Sequence, residues 1–433
     1  MRREPWVPGN RWDLVDGVEP DPLPRVSVIV AHYDQPEELA RTLAALRMQD
    51  YPPELLEVVV ADDGSPGEVR VPDGVVLVRQ PDEGFRLAAV RNLGVRASSG
   101  DVLCFLDADT APEPGYVRAL TRLPALLPEA LTVGRRRHAD FTGVPSEAPV
   151  RQAAEGRELP EPSWLADEYA RSRDLLDADD RSYRFVIGAV LACTRRLFDE
   201  VGGFDESFSR YGGEDWEWAH RMWQAGAVLA HVPAAVAWHD GPDWAGRSEA
   251  RRERANDQTL RLASSIPVPG SSPRGLRPSA PDLLVHLRGA HDPAPLFVAV
   301  DSLLAAFPHA SVVLEAAAAS AFDDPRVIRG GPLPDARVVW ELDHPVVVLD
   351  PDAIAPLVAD LGTRETGIVD LHDTDGIALG ALRARRAIRR EERWGMPHGF
   401  ARARVETAGV HRLGSAPNVD AWVGGWGGVQ SFR

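Results

Sequence analysis

The 433-residue sequence predicts an α/β protein, with a Rossmann-like, mostly parallel sheet in its first part and a smaller α/β domain after it. Three observations predict this. Short apolar runs alternate with amphipathic stretches of helical period between residues 26 and 106. Acidic residues follow two of those runs directly, where open α/β sheets bind ligands. A Ser/Pro/Gly-rich segment, SSIPVPGSSPRGLRPSAP at 264–281, separates this block from a second alternation of the same kind.

Each element is read in order. After a Pro-rich stretch at 19–24, VSVIVA at 26–31 reads as a buried strand and QPEELARTLAALRMQ at 35–49 as an amphipathic helix. LLEVVVA at 55–61, VVLV at 75–78 and DVLCFL at 101–106 read as strands, with a helix through FRLAAVRNLGVRAS before the last. Residues 140–182 carry Pro, Trp and many charges without a period, as a substrate-facing insertion does. FVIGAVLACT at 185–194 is apolar again, and RRLFDEVG after it is helical. A Trp-rich helix is expected from Glu214 to Gln224, then a strand AVLAHV, then a polar helix from about Gly246 to Ser264. The expected division is an N-terminal extension (1–24), a first domain (25–264), a linker (265–281) and a C-terminal domain (282–433).

In that last domain, LLVHLRGAHDPAPLFVAVDSLLAAF repeats the order of VSVIVAHYDQPEELARTLAALRMQD: apolar strand, polar turn with Pro, amphipathic helix. VVVLDPDAIAPLVADL echoes VLCFLDADTAPEPGYVRAL and aligns Asp350 and Asp352 with Asp107 and Asp109. A degenerate copy of the first half and an unrelated α/β domain both remain open. HASVVLEA lacks an Asp-Asp-Gly-Ser or Arg-Asn-X-Gly after it, so the domain is expected to be non-catalytic.

Composition narrows the class. Counts of 48 basic and 65 acidic residues give −17, which argues against nucleic acid or an anionic membrane surface as main partner. Cys104 and Cys193 lie inside apolar runs, as buried reduced thiols of a cytoplasmic protein do. No apolar leader and no run of eighteen apolar residues is found, so neither an export signal nor a transmembrane helix is expected.

Five blocks carry the chemistry. Asp107-Ala108-Asp109 follows the strand VLCFL; alternate residues of an extended chain project to one side, so the two carboxylates can converge on a divalent cation or divide between cation and ribose. Taken alone, the triplet is equally a solvated turn. Asp62-Asp63-Gly64-Ser65 ends a neighbouring strand, where a carboxylate can accept from a uracil-type N–H and the glycine permits a tight turn. Arg86, Arg91 and Asn92 lie on or before the helix preceding the Asp-Ala-Asp strand, and the arginines can meet phosphate there. Glu214 and Asp215 open a helix after two glycines; they either complement its dipole or supply a general base, for which Asp215 is the candidate. His239, in Trp238-His239-Asp240, can bring an imidazole to the same cation.

In this order, over roughly residues 25–240, the blocks resemble the inverting glycosyltransferase family two, with its GT-A fold. VIVAHYDQPEEL, VVVADDGS, DEGFRLAAVRNLGVRASSGDVLCFLDAD and GGFDESFSRYGGEDWEW are similar in particular to its bacterial chondroitin-polymerase and galactosyltransferase-like branch. The resemblance implies an enzyme that uses Mn²⁺ or Mg²⁺. It would move one hexosyl or N-acetylhexosaminyl unit from a nucleotide-diphosphate sugar, UDP-linked, to a hydroxyl of a glycan, lipid-linked or small-molecule acceptor. A lipid-linked acceptor would be met peripherally, at the inner membrane face. Tyr33 and Asp62, with Asp63 beside them, would hold the nucleobase; Asp107 the ribose; Asp109 and His239, with Asp107, the metal. Arg86, Arg91 and Asn92 would flank the diphosphate, and Asp215 with Glu214 would be catalytic. Ala31 and His32 depart from the small hydroxyl residues of relatives, and Asp215 departs from the Asn of the similar retaining polypeptide sugar transferases, which favours inversion. Trp164, Tyr169 and Tyr183 are expected to shape the acceptor site. A non-catalytic nucleotide-sugar-binding or scaffold protein is the alternative. A nucleotidyltransferase is disfavoured, because AHYDQPEE is not a Gly-rich basic loop.

Overall fold

In the computed structural model, residues 6–242, 250–395 and 399–424 are described, and the chain divides into two compact units between Arg261 and Leu262. The first unit holds strands β1 (Val26–His32), β2 (Leu56–Asp62), β3 (Val76–Arg79), β4 (Val102–Asp107), β5 (Thr110–Pro112), β6 (Ala130–Ala139), β7 (Glu158–Leu159), β8 (Val190–Thr194) and β9 (Val228–Asp240). Its helices include α1 (Pro36–Arg47), α2 (Leu87–Arg96), α3 (Tyr116–Leu126), α4 (Val150–Ala154), α5 (Ser163–Arg171), α6 (Arg195–Val201) and α7 (Glu214–Gln224). α8 (Ala250–Ser265) runs across the division between the units.

The strands order as β3-β2-β1-β4-β8-β6-β9-β5, with β7 on β6. β3, β2, β1 and β4 are parallel; β8 is antiparallel to β4 and β6; β6 and β9 are parallel; β5 closes the far side antiparallel to β9. Every residue of β1 is buried, as a strand covered on both faces by helices requires. Helix α2 lies close enough that a Cβ at Gly94 would come within 2.4 Å of Ile29, which is why glycine stands there.

Most expected elements fall within a residue or two of the structure. Two differ for a physical reason. FVIGAVLACT is extended only from Val190, because Ser182–Phe185 forms a 3-10 turn and Ile187–Ala189 bends toward the site. The strand AVLAHV continues through Trp238 and His239 to Asp240, passing a bulge between Gly134 and Arg135 of its partner β6. Cys104 and Cys193 are both free and buried. Among the described residues no helix is long and apolar enough to cross a membrane.

The second unit contains β10 (Leu283–Leu287), α9 (Pro293–Ala306), β11 (Ser311–Leu314), β12 (Val327–Arg329), β13 (Val338–Leu342), β14 (Val346–Val348), β15 (Thr366–His372), β16 (Ala378–Ala384), β17 (Ala401–Glu406) and β18 (Val410–Arg412). Its sheet, β12-β11-β10-β13-β16-β15-β17, repeats β3-β2-β1-β4-β8-β6-β9 strand for strand. Each parallel and antiparallel pairing recurs too. β14 pairs antiparallel with β18 as β5 does with β9, the long β9 being represented by β17 and β18 together. Of the two readings open from the sequence, the copy is the one with this topology. The sequence alignment of Asp350 and Asp352 with Asp107 and Asp109 is corrected. Those residues follow β14, the counterpart of β5, whereas the counterpart of β4 is β13. VVVL resembles VLCFL because both are short apolar strands, and composition alone cannot distinguish one from another.

Candidate active site

The carboxyl ends of β4 and β9, the bend before β8 and the start of α7 enclose a cavity of about 470 Å³ in the first unit. Of the expected site residues, Arg91, Asp107, Asp109, Glu214, Asp215 and His239 line it; Tyr33, Asp62, Asp63, Arg86 and Asn92 do not.

α7 is placed by an aromatic core. Phe204 packs on Trp218 (centroids 4.6 Å apart) and edge-on to Phe105 of β4 (5.3 Å), and Trp218 is fully buried. Burying such side chains contributes roughly 1.5–3 kcal/mol each, enough to hold a helix end in register. The N-cap Gly213 has φ 100, a conformation that costs glycine least, and from it Glu214 and Asp215 turn into the cavity.

Arg91 organises the centre. Only 1% exposed, it donates from Nη2 to Asp107 Oδ1 (2.9 Å) and from Nη1 to Glu214 Oε1 (3.2 Å). The guanidinium also lines the cavity, the side on which the diphosphate is expected. A Cβ at Gly188 would lie 2.7 Å from both terminal nitrogens, so glycine at that bend makes room for it. The Gly188 N–H donates to Asp215 Oδ2 (2.9 Å) and the Trp216 N–H to Oδ1 (2.8 Å). Burial raises the pKa of Asp215, only partly offset by Arg91. Burial, and then the charge of Asp215, push Glu214 up to about 7.

Asp109 and His239 meet across β5 and β9, where Thr110 pairs with His239. His239 Nε2 stands 3.4 Å from Asp109 Oδ2, while His239 Nδ1 is 3.3 Å from the Gly241 carbonyl. Two neighbouring ligands of one Mg²⁺ or Mn²⁺ lie about 3 Å apart, and a ligating imidazole usually gives its other nitrogen to a carbonyl, so the pair fits a divalent cation. Among the described residues no group of three or more His, Cys, Asp and Glu side chains gathers around one point. Asp107, also expected at the metal, is bonded by Arg91 Nη2 (2.9 Å) and lines the same cavity; Mg²⁺ and Mn²⁺ commonly take few protein ligands and are completed by phosphate and water. Burial raises the Asp109 pKa, but the hydrogen bond and charge of His239 together with hydrogen bonds from Gln35 and Thr110 bring the net direction down.

The remaining expected residues serve the surrounding frame. Asp62 is fully buried; His32 Nδ1 (2.8 Å) and Ser65 Oγ bond its Oδ1, Ser65 N (3.0 Å) bonds its Oδ2, and Arg79 Nε forms an ion pair with Oδ2 at 3.1 Å. Asp63 accepts from Gln80 Nε2 (2.5 Å) and the Arg86 N–H (2.8 Å), and keeps free acceptor positions. The Arg86 side chain pairs with Glu83. Asn92 clamps α2 to the loop before α7, exchanging hydrogen bonds with Phe204 N (3.0 Å) and O (2.8 Å), and so is a framework residue rather than a ligand. Tyr33 is 46% exposed beyond the cavity. Trp164, 44% exposed, does line the cavity, whereas the buried Tyr169 stacks on His231 of β9 and the buried Tyr183 packs edge-on to Trp216 and His220 of α7.

Other lining residues were given no role from the sequence, among them Gln35, Arg136 and Tyr211. Gln35 donates to Asp109 Oδ2 (3.4 Å), Arg136 comes from the Arg-Arg-Arg run of β6, and Tyr211 is half exposed with its ring 5.6 Å from Phe85. The arginine run was the one signal that could have been read, since consecutive arginines on a strand place at least one on each face.

Residues 27–163 match the family described as Glycosyl transferase family 2, and residues 174–238 that described as the N-terminal domain of galactosyltransferase. Chondroitin synthase of Escherichia coli is 29% identical over 269 residues, 56% of this chain and 38% of that protein. Validoxylamine A glucosyltransferase of Streptomyces hygroscopicus subsp. limoneus is 31% identical over 219 residues, 46% of this chain and 48% of that protein. These matches span less than half the length of either relative. Among solved structures, a mannosyltransferase from Pyrobaculum calidifontis in complex with GDP-Man and Mn²⁺ is 22% identical, with a TM-score of 0.39 over 57% of this chain and 66% of that one. Both family matches fall within the first unit and cover the strands that carry the cavity. That unit therefore carries the glycosyltransferase family 2 match, has the GT-A fold, and is similar to the bacterial chondroitin synthases.

Proposed function

We propose that the first unit transfers one sugar, with inversion, from a nucleotide-diphosphate sugar, UDP-linked, to an acceptor hydroxyl, with Asp215 as general base and a divalent cation held by Asp109 and His239. The observation that carries the reading is the convergence of Arg91, Asp107, Asp109, Glu214, Asp215 and His239 on one cavity. When bound, Mn²⁺ or Mg²⁺ neutralises charge developing on the departing diphosphate. The chain's own residues do the rest. Asp215, its carboxylate oriented by the Gly188 and Trp216 N–H groups, accepts the acceptor's hydroxyl proton; its burial makes it a stronger base. Arg91 is a positioning residue that fixes Asp107 and Glu214 on either side of it. Trp164 offers an aromatic face to a sugar ring. The names of relatives, a chondroitin synthase and a validoxylamine A glucosyltransferase, agree with sugar transfer to a glycan or a small-molecule acceptor. With one complete site, each cycle adds one sugar.

Asp215→Asn tests the assignment. The expected outcome is a fall in transfer of about 10²–10⁴-fold, the usual contribution of a general base, with Mn²⁺-dependent UDP binding retained. Turnover at the wild-type rate would show that another group takes the proton.

A further inference from the structure

The repeated topology lets each position of the first crevice be located in the second unit by register. Val30 pairs with Leu106, after which Asp107, Ala108 and Asp109 lead to Thr110, opposite His239. Leu287 pairs with Leu342, after which Asp343, His344 and Pro345 lead to Val346, opposite Arg412. The helices agree: α1 begins at Pro36, six residues after Val30, and α9 at Pro293, six after Leu287. The pair fitted for the cation, Asp109 and His239, is thus represented by Pro345 and Arg412. Proline has no ligating side chain, and a guanidinium repels a metal ion.

A cavity of about 380 Å³ lies at this place, lined among others by His291, Asp292, His344, Pro345, Arg412 and Ser415. Three of these carry or can carry positive charge. The acid nearest in sequence, Asp343, is engaged by Arg288 at 2.9 Å, which leaves Asp292 as the lining carboxylate. The pKa of His344 is held below its ordinary value by burial and then by Arg412, with His291 adding to the effect and Asp343 opposing it. Arg412 is thus the fixed cation of this lining, with the His291 and His344 rings beside it and Asp292 as the lining carboxylate.

We propose that this crevice is a metal-free anion site that takes a phosphate or diphosphate group, with Arg412 standing where the first unit places its cation. A guanidinium supplies directional donors as well as charge, so it can hold a phosphate without a metal. The rest of a transferase site is missing. β11 is followed by Glu315 and a short helix instead of an Asp-Asp-Gly-Ser turn, and no Gly-Gly-Glu-Asp block precedes the counterpart of β9. The unit binds the anion and does not transfer from it.

Calorimetry on the full chain in EDTA, with inorganic pyrophosphate as the probe and with phosphate and UDP in parallel, tests the proposal. One pyrophosphate per chain is expected, weakened about tenfold or more in Arg412→Glu and less in Arg412→Lys, as loss of a charge-assisted contact predicts. Asp109→Asn is expected to leave it unchanged. UDP binding more tightly than pyrophosphate would show a nucleoside contribution; equal binding would show that the phosphates alone are read. Absence of saturable metal-free binding, equal binding in Arg412→Glu, or loss in Asp109→Asn would overturn the proposal. Thermal unfolding of Arg412→Glu controls for folding; the exposed position should tolerate it. Mn²⁺-dependent UDP binding that is lost in Asp109→Asn and kept in Arg412→Glu reports on the transferase reading separately.

Discussion

The crevice at the end of β4 and the crevice at the end of β13 occupy the same place in two sheets of one strand order, yet their side chains have opposite chemistry. In the first, five carboxylates and an imidazole line a cavity with Arg136 and with the buried Arg91, which two of the carboxylates hold. In the second, two histidines and an arginine face a single lining carboxylate. The sheet fixes where a ligand sits, at the carboxyl ends of strands, but the loops decide what it is.

The comparison breaks most directly at the metal pair. Asp109→Asn should lower metal-dependent transfer by at least about 10²-fold, the scale of losing several kcal/mol of charge stabilisation, and should abolish Mn²⁺-dependent UDP binding. Asp352→Asn, in the position that sequence similarity alone would equate with Asp109, should leave both unchanged. If both variants lose activity alike, the register-based correspondence is wrong.

How far the sequence reached follows the same division. The alternation of apolar strands with helices was legible because periodicity is local, and so were Asp107, Asp109, Glu214, Asp215 and His239, which lie at strand ends or a helix start. What was not legible depends on three-dimensional partners. Asp62 looks like a free carboxylate beside Asp63, and only the fold shows the His32 and Ser65 donors and the Arg79 ion pair around it. Arg91 and Asn92 are polar residues on a helix near the site, and only the fold shows that Arg91 holds Asp107 and Glu214 and that Asn92 binds the Phe204 backbone and Glu206. The repeat in the second unit was visible in its first strand and helix and misaligned afterwards, because β13 and β14 are both short apolar runs.

A second, smaller effect tests how Arg91 is held. Gly188→Ala places a methyl 2.7 Å from two guanidinium nitrogens that are themselves fixed by Asp107 and Glu214. Overpacking of this kind costs about 1–3 kcal/mol. The expected result is a lower melting temperature together with slower transfer, because the displaced loop also carries the N–H that orients Asp215. Lower stability with an unchanged transfer rate would mean that Arg91 supports the fold without positioning the carboxylates.

The smallest effect is one of pH, and it should belong to the first unit alone. Burial and the charge of Asp215 raise Glu214 from 4.5 to about 7, so the folded chain binds more protons than the unfolded chain across that interval. Stability from this group is fully present below pH 4.5 and is lost as pH rises through 7, since ionising Glu214 places a second negative charge beside Asp215. Glu214→Gln keeps an oxygen that can accept from Arg91 but cannot ionise. Its melting temperature should follow that of the wild type at low pH and fall less steeply toward neutral pH. Hydrogen exchange should place the difference in α7, not in β10 or β13, where no counterpart of Glu214 exists. A difference between the two proteins that is constant with pH would mean that Glu214 stays ionised throughout, held so by Arg91, and that the two crevices differ in charge but not in how that charge responds to protons.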